Sequence, residues 1–154
     1  MNKIIMGADH AGFSLKEDIK AFLTGQGWEV ADKGTGDELP ADYADYAAAV
    51  AGEIVAGNFD RGILICGSGA GMSITANKFP GIRATLSLDE EMARLSRQHN
   101  DSNILVLGGR RTDAATARRI VLVWLQTPFE GGRHQRRVDK IRAIEEKLLC
   151  PAGG

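Results

Sequence analysis

Short apolar runs closed by glycine recur along this chain, and between them apolar residues fall at helical spacing. This alternation constrains the fold more than any other feature of the sequence. Residues 3–6 read as a buried strand ended by Gly7. From Gly12 the positions Phe13, Leu15, Ile19, Phe22 and Leu23 repeat as one helix face until Gly25 and Gly27. A second strand is expected over 28–31, a polar loop over 32–42, and then a helix carrying Tyr43, Tyr46, Ala47, Val50, Ile54 and Val55, stopped by Gly57. Gly62–Cys66 (GILIC) is the most strand-like segment, and the glycine-rich turn 67–71 leads from it into a short helix over 72–78, ahead of Pro80 and Gly81. A fourth strand over 82–86, a helix over 89–98 and a fifth strand over 104–107 ended by Gly108 and Gly109 follow. Thr112 or Asp113 can cap a helix running to about residue 126. Beyond a break at 127–132, Val138, Ile141, Ile144, Leu148 and Leu149 mark a last helix over about 134–149.

Strands alternating with helices predict a parallel sheet covered on both faces. The expected fold is therefore α/β, a Rossmann-like three-layer α/β/α sandwich with a five-stranded parallel sheet. A chain of 154 residues suits a single domain, 1–154, large enough to bury a core without disulfides. Cys66 and Cys150 form no CxxC pair, and the three histidines look too scattered for a metal site, so neither metal nor cofactor is expected. With no leader-like start and no long apolar run, the chain reads as cytoplasmic, with no membrane partner. The last helix follows all five strands with an apolar stripe to cover, and a second copy of the chain is as good a cover as its own sheet.

In such sheets ligands sit beyond the carboxyl ends of the strands. The residues there are Gly7, Ala8, Asp9 and His10, then Cys66 to Gly71, then Gly108, Gly109 and Arg110. Part of the glycine excess, 19 of 154, collects at this one edge. Glycines at 67, 69 and 71 let backbone N–H groups approach an anion, though a tight turn alone would also need small residues. Cys66, before a helix start, has its thiolate favoured and could serve as nucleophile or base; a small buried hydrophobe is the alternative. Asp9 can face a ligand or cap the following helix, and His99 reads as a loop histidine in a polar run.

Charge is divided unevenly: 5 basic against 11 acidic residues through Asn77, and 14 against 9 from Lys78 onward. Arg133 and Arg137 stand four apart, on one helix face, where two guanidinium groups can grip one phosphate. A pI near 6.3 argues against a nucleic-acid partner and favours a small phosphate. A dinucleotide fingerprint is only approximated: Met72 and Ser73 stand where the third glycine is needed, and the turn follows the third strand rather than the first. A non-catalytic nucleotide-binding module on the same sheet is the rival reading.

The blocks Gly7-Ala8-Asp9-His10-Ala11-Gly12, Asp42-Tyr43, Gly62 to Gly69, Ala76-Asn77-Lys78, Gly81-Ile82-Arg83-Ala84, Arg97 to Asp101 and Phe129 to His134 resemble the ribose-5-phosphate isomerase B family. The wider family also includes allose-6-phosphate, galactose-6-phosphate and tetrulose-phosphate isomerases. The resemblance runs from residue 3 to about 146, in the family's order. It implies metal-free aldose–ketose isomerisation of a phosphorylated sugar, ribose 5-phosphate before the others, through an enediolate. It also implies a homodimer, or a dimer of dimers, with the last helix in the interface. By position, Cys66 resembles the base and His99 the acid that opens the sugar ring. The backbone of Gly67, Ser68, Gly69, Ala70 and Gly71 would hold the enediolate oxygen, with the Ser68 hydroxyl assisting. Asp9 and Asn100 resemble the groups that hold sugar hydroxyls, Tyr43 lines the pocket, and His10, Arg133 and Arg137, joined by Arg110, resemble the phosphate grip. One branch of the family uses a glutamate six residues after the cysteine; Met72 stands there and cannot act as base. In the family one chain supplies Cys66 and the other His99, Asn100 and Arg110. Ser68 replaces a common threonine, and 41–46 lacks a proline often found between the tyrosines.

Overall fold

The apolar run GILIC becomes the middle strand of a parallel sheet. In a computed structural model that describes residues 2–151, the strands are β1 (Lys3–Ala8), β2 (Glu29–Asp32), β3 (Gly62–Cys66), β4 (Ala84–Leu86) and β5 (Ile104–Gly108), in the order β2-β1-β3-β5-β4. All four pairings are parallel. The helices are α1 (Phe13–Gly25), α2 (Tyr43–Val55), α3 (Ala70–Ala76), α4 (Glu90–Asn100), α5 (Ala114–Gln126) and α6 (Arg133–Leu149).

Successive side chains of a strand point to opposite faces, so each buried strand feeds two cores. Ile63 and Ile65 of β3 pack with Ile4, Met6, Leu105 and Leu107 against Leu15 and Ile19 of α1, Ala93 of α4, and Ile120 and Trp124 of α5. Leu64 and Cys66 pack with Ile5, Ile104 and Val106 against Ala47 and Val50 of α2 and Met72 and Ala76 of α3. The sheet is thus covered on both faces, the three-layer α/β/α arrangement expected from the alternation.

Several boundaries differ from the expectation, each for a local reason. Gly7 does not end β1; it pairs with Leu64, and the strand runs on to Ala8. Trp28 stays outside β2, and Ile82 outside β4, which is only three residues long. α3 begins at Ala70, straight out of the glycine turn, and ends at Ala76. α4 continues to Asn100 because Asp101, at φ 48°, supplies the left-handed end, with its carboxylate held by Arg83 at 3.1 Å and Arg97 at 2.9 Å. Asp113, not Thr112, caps α5 by accepting the Thr116 N–H at 2.9 Å. Thr112 is buried instead.

The chain steps outward from β1 to β2, then crosses back to place β3 on the other side of β1. α1, which follows β1, lies on one face and α3, which follows β3, on the other, so the turns leaving β1 and β3 part at the carboxyl edge, where doubly wound sheets form their ligand crevice. α6 stands apart from this plan. Of its residues only His134 and Val138 are buried, while Ile144 and Leu148 are 61% and 75% exposed. Its apolar stripe is uncovered within one chain. No helix among the described residues is long and apolar enough to cross a membrane.

Candidate functional site at the sheet edges

Cys66 ends β3, 4% exposed, with its side chain on the α2–α3 face. The turn that follows brings the Gly69 N–H to 3.2 Å from Sγ, donating to the sulfur. This is possible because Gly69 takes φ 85°, a left-handed conformation that a side chain would strain. The Ala70 N–H donates to the Ser68 Oγ at 3.2 Å, so the hydroxyl is fixed at the mouth of the turn. Tyr43 covers the turn so closely that a methyl on Gly71 would lie 2.5 Å from its ring. α3 is only seven residues long, so the local N–H groups, more than a helix dipole, give the turn its affinity for negative charge.

Across the crevice, Asp9 accepts the Gly12 N–H at 3.0 Å. It braces the turn ahead of α1 rather than capping the helix, since Gly12 holds the cap position. His10 is pinned through Nδ1, which lies 3.1 Å from the Ala41 N–H and 3.2 Å from the Ala41 carbonyl. That contact orients the imidazole's other nitrogen, Nε2, away from the 41 loop. The Arg110 N–H donates to the Gly67 carbonyl at 3.0 Å, and its guanidinium lies beside the same turn. Cys66, Ser68, the 67–71 backbone, Asp9, His10, Tyr43 and Arg110 therefore share one edge of one chain. The resemblance groups Arg110 with His99 and Asn100, apart from Cys66; within this chain Arg110 stands with Cys66.

His99 and Asn100 lie on the last turn of α4, not on a loop, and α4 returns the chain to the amino end of β5. The amino edge is marked by the Gly62 N–H donating to the Asn103 carbonyl at 2.9 Å. Cys66 is four residues further along β3, about 13 Å away in strand rise. The segment after α5 joins this far edge: the Glu130 N–H donates to the Gln98 carbonyl at 3.1 Å, and α6 then starts with Arg133. Arg133 and Arg137 are thus grouped with His99 and Asn100, away from His10. The candidate residues form two half-sites at opposite edges of the sheet.

Sequence reasoning gave His134 no role and treated the histidines as scattered. The fold stacks His99 and His134, with ring centroids 4.2 Å apart and planes 12° from parallel, and sets Glu130 3.4 Å from the His134 Nε2. The His99, Glu130 and His134 ligand atoms lie within 4.8 Å of one another. Parallel rings, however, direct their lone pairs along separate planes, so this is a stack rather than a chelate. The i, i+4 spacing of Glu130 and His134 was visible in the sequence, but the approach of His99 depends on how α6 packs on α4.

A doubly wound α/β sheet with a switch-point crevice lined by a thiol and backbone amides defines the class: small-ligand proteins that bind at the carboxyl edge of the sheet. The chain can be placed further. The model of the Ribose/Galactose Isomerase family matches residues 4–141. Over 147 residues the chain is 51% identical to ribose-5-phosphate isomerase B of Escherichia coli, covering 96% of this chain and 99% of that one. It is 37% identical to a 4-deoxy-4-sulfo-D-erythrose isomerase from a Clostridium strain, over 95% of this chain and 92% of that protein. The solved structure of Clostridium thermocellum ribose-5-phosphate isomerase B superposes with a TM-score of 0.93 at 50% identity, covering 95% and 99% of the two chains. The chain belongs to the Ribose/Galactose Isomerase family.

Proposed function

We propose that this chain is an aldose–ketose isomerase that interconverts ribose 5-phosphate and ribulose 5-phosphate. The observation that supports this reading is the Gly69 N–H donated to Cys66 Sγ, because a thiol acting as base and a turn holding an oxyanion would then share one loop. Full-length identity to a ribose-5-phosphate isomerase B supports the substrate assignment. Met72, at the position where one branch of the family carries a glutamate, is fully buried and offers no base.

The proposed reaction runs through this chain's own side chains and backbone amides. His99 gives a proton to the ring oxygen as the C1–O4 bond breaks, and the O1 hydroxyl gives up its proton to water as the C1=O1 bond forms, leaving an open-chain aldehyde. The Cys66 thiolate removes the C2 proton, and charge moves onto O1 as a cis-enediolate forms. Backbone amides of the 67–71 turn, with the Ser68 hydroxyl, hold that oxyanion; losing one such donor costs about 10²–10³ in rate. Cys66 then returns its proton to C1, while the O2 proton moves to O1. Asp9 and Asn100 hold hydroxyls, and His10, Arg110, Arg133 and Arg137 grip the phosphate far from the reacting carbons. The half-sites unite when a homodimer sets the Cys66 edge of one chain against the His99 edge of its partner, with α6 covered in the contact.

The test is Cys66→Ala. Turnover of ribose 5-phosphate is expected to fall by at least about 10³, on the scale of a lost general base. Binding of a phosphosugar acid mimic of the enediolate should stay nearly unchanged. Near-normal turnover would remove Cys66 from the base role. A panel with allose 6-phosphate, galactose 6-phosphate and erythrose 4-phosphate checks the choice of sugar.

A further inference from the structure

His134 is the one buried member of the far half-site that the proposed chemistry leaves unused. It is 4% exposed, and its Nδ1 has no hydrogen-bond partner. Nε2 has only long neighbours, the Arg133 Nε at 3.4 Å and the Glu130 carboxylate at 3.4 Å. A buried polar atom without a partner is unfavourable, so the nitrogens do not explain why an imidazole stands there. The ring does. Its face covers the half-exposed His99 ring at a centroid distance of 4.2 Å and an interplanar angle of 12°.

His99 needs such a backing. It sits on the last turn of α4, where helix ends fray, and a side chain with two free torsions there samples several ring orientations. α4 is itself held at this end by Asp101 bridging Arg83 and Arg97. The backbone below His99 is therefore fixed by those ion pairs and the side chain by the stack. We propose that His134 is a positioning residue for sugar-ring opening: its buried imidazole holds the His99 ring in the one plane from which the proton is delivered. The proposal rests on the reading of His99 as the ring-opening acid. The charge around the pair is consistent with it. Burial first, then a proton on His99 and the guanidinium groups of Arg133 and Arg137, push His134 below the usual histidine range, and only Glu130 pushes the other way. The balance of these effects favours the neutral form of His134.

Two replacements that both fill the buried volume separate a flat backing from simple packing. With His134→Phe a ring remains without nitrogen, and kcat for ribose 5-phosphate is expected within about threefold of the parent protein. With His134→Leu the volume remains without a flat face, and kcat should fall about tenfold, short of the loss of a whole acid, with KM within about twofold. Equal activity of the two variants, or a Leu effect on KM alone, overturns the proposal. A second readout needs no turnover. In histidine-labelled protein the His99 ring protons should show an upfield ring-current displacement that persists in the Phe variant and disappears in the Leu variant. His99 signals unmoved by His134→Leu would show that no stack exists in solution. His99→Asn tests the underlying reading separately: undiminished ribose 5-phosphate turnover would remove His99 as the acid, whatever the stack signals show.

Discussion

Mixing two inactive variants tests whether each site is divided between chains. The perturbations are Cys66→Ala, which empties the carboxyl edge, and His99→Asn, which empties the amino edge. The two edges are separated by the length of β3, from Gly62 to Cys66. At about 3.3 Å per residue that is about 13 Å of strand, well beyond the reach of an imidazole side chain. A single chain therefore cannot bring His99 to a sugar held over Cys66. In a mixed dimer the wild-type cysteine of one chain faces the wild-type histidine of the other, giving one intact site of two. Equal amounts of both variants, unfolded and reassembled together, give about half mixed dimers, so about a quarter of all sites are intact. The assay is ribulose 5-phosphate formation at saturating ribose 5-phosphate, with each variant reassembled alone as control. Recovery near a quarter of parental activity is expected. Recovery no greater than the sum of the controls, with mixed dimers present, would refute the divided site.

Two further outcomes follow from local geometry. Gly69→Ala places a side chain at φ 85° and against Leu86, so a loss of about 2 kcal/mol in urea unfolding is expected, with turnover reduced as the amide leaves Sγ; unchanged stability would contradict the left-handed conformation. At Asp32, burial opposes the carboxylate, but hydrogen bonds from Lys16, Lys20 and the Gly34 N–H outweigh it and hold the carboxyl below its usual range. A depressed folded-state pKa stabilises the protein above the unfolded value, near pH 4, and that contribution disappears as pH falls through the folded value. Asp32→Asn should thus cost about 3 kcal/mol at neutral pH, by leaving the buried Lys16 with one partner fewer, and should flatten the acid limb of a stability–pH curve. An acid limb as steep as the parent's would exclude Asp32 as its source.

The sheet was legible because burial on both faces leaves unbroken apolar runs such as Gly62–Cys66, and helical periodicity is equally plain between them. Ends were less legible. α4 reaches Asn100 only because Arg83, distant in sequence, and Arg97 hold Asp101, and no local pattern announces that pair. β1 passes through Gly7 because its neighbour Leu64 continues the ladder. Strand-end logic alone found the Cys66 edge, since Asp9, His10 and Arg110 follow strands. It could not assign Arg133 and Arg137 to an edge, because that depends on the segment after α5 returning to α4. The His99–His134 stack was invisible for the same reason: its members are 35 positions apart and meet only through helix packing.

The charged knot at the end of β2 bears on what this fold excludes. In doubly wound proteins an acid near that strand end meets the ribose of a dinucleotide. Asp32 occupies that place, yet Oδ2 is engaged by Lys16 at 2.5 Å and Lys20 at 2.8 Å, and Oδ1 by the Gly34 N–H at 2.9 Å. An adenosine ribose would have to compete with two ammonium groups, one of them fully buried, for the same oxygens. On a scaffold shared with nucleotide carriers, the carboxylate that would meet a ribose is here tied up from within by the chain's own lysines.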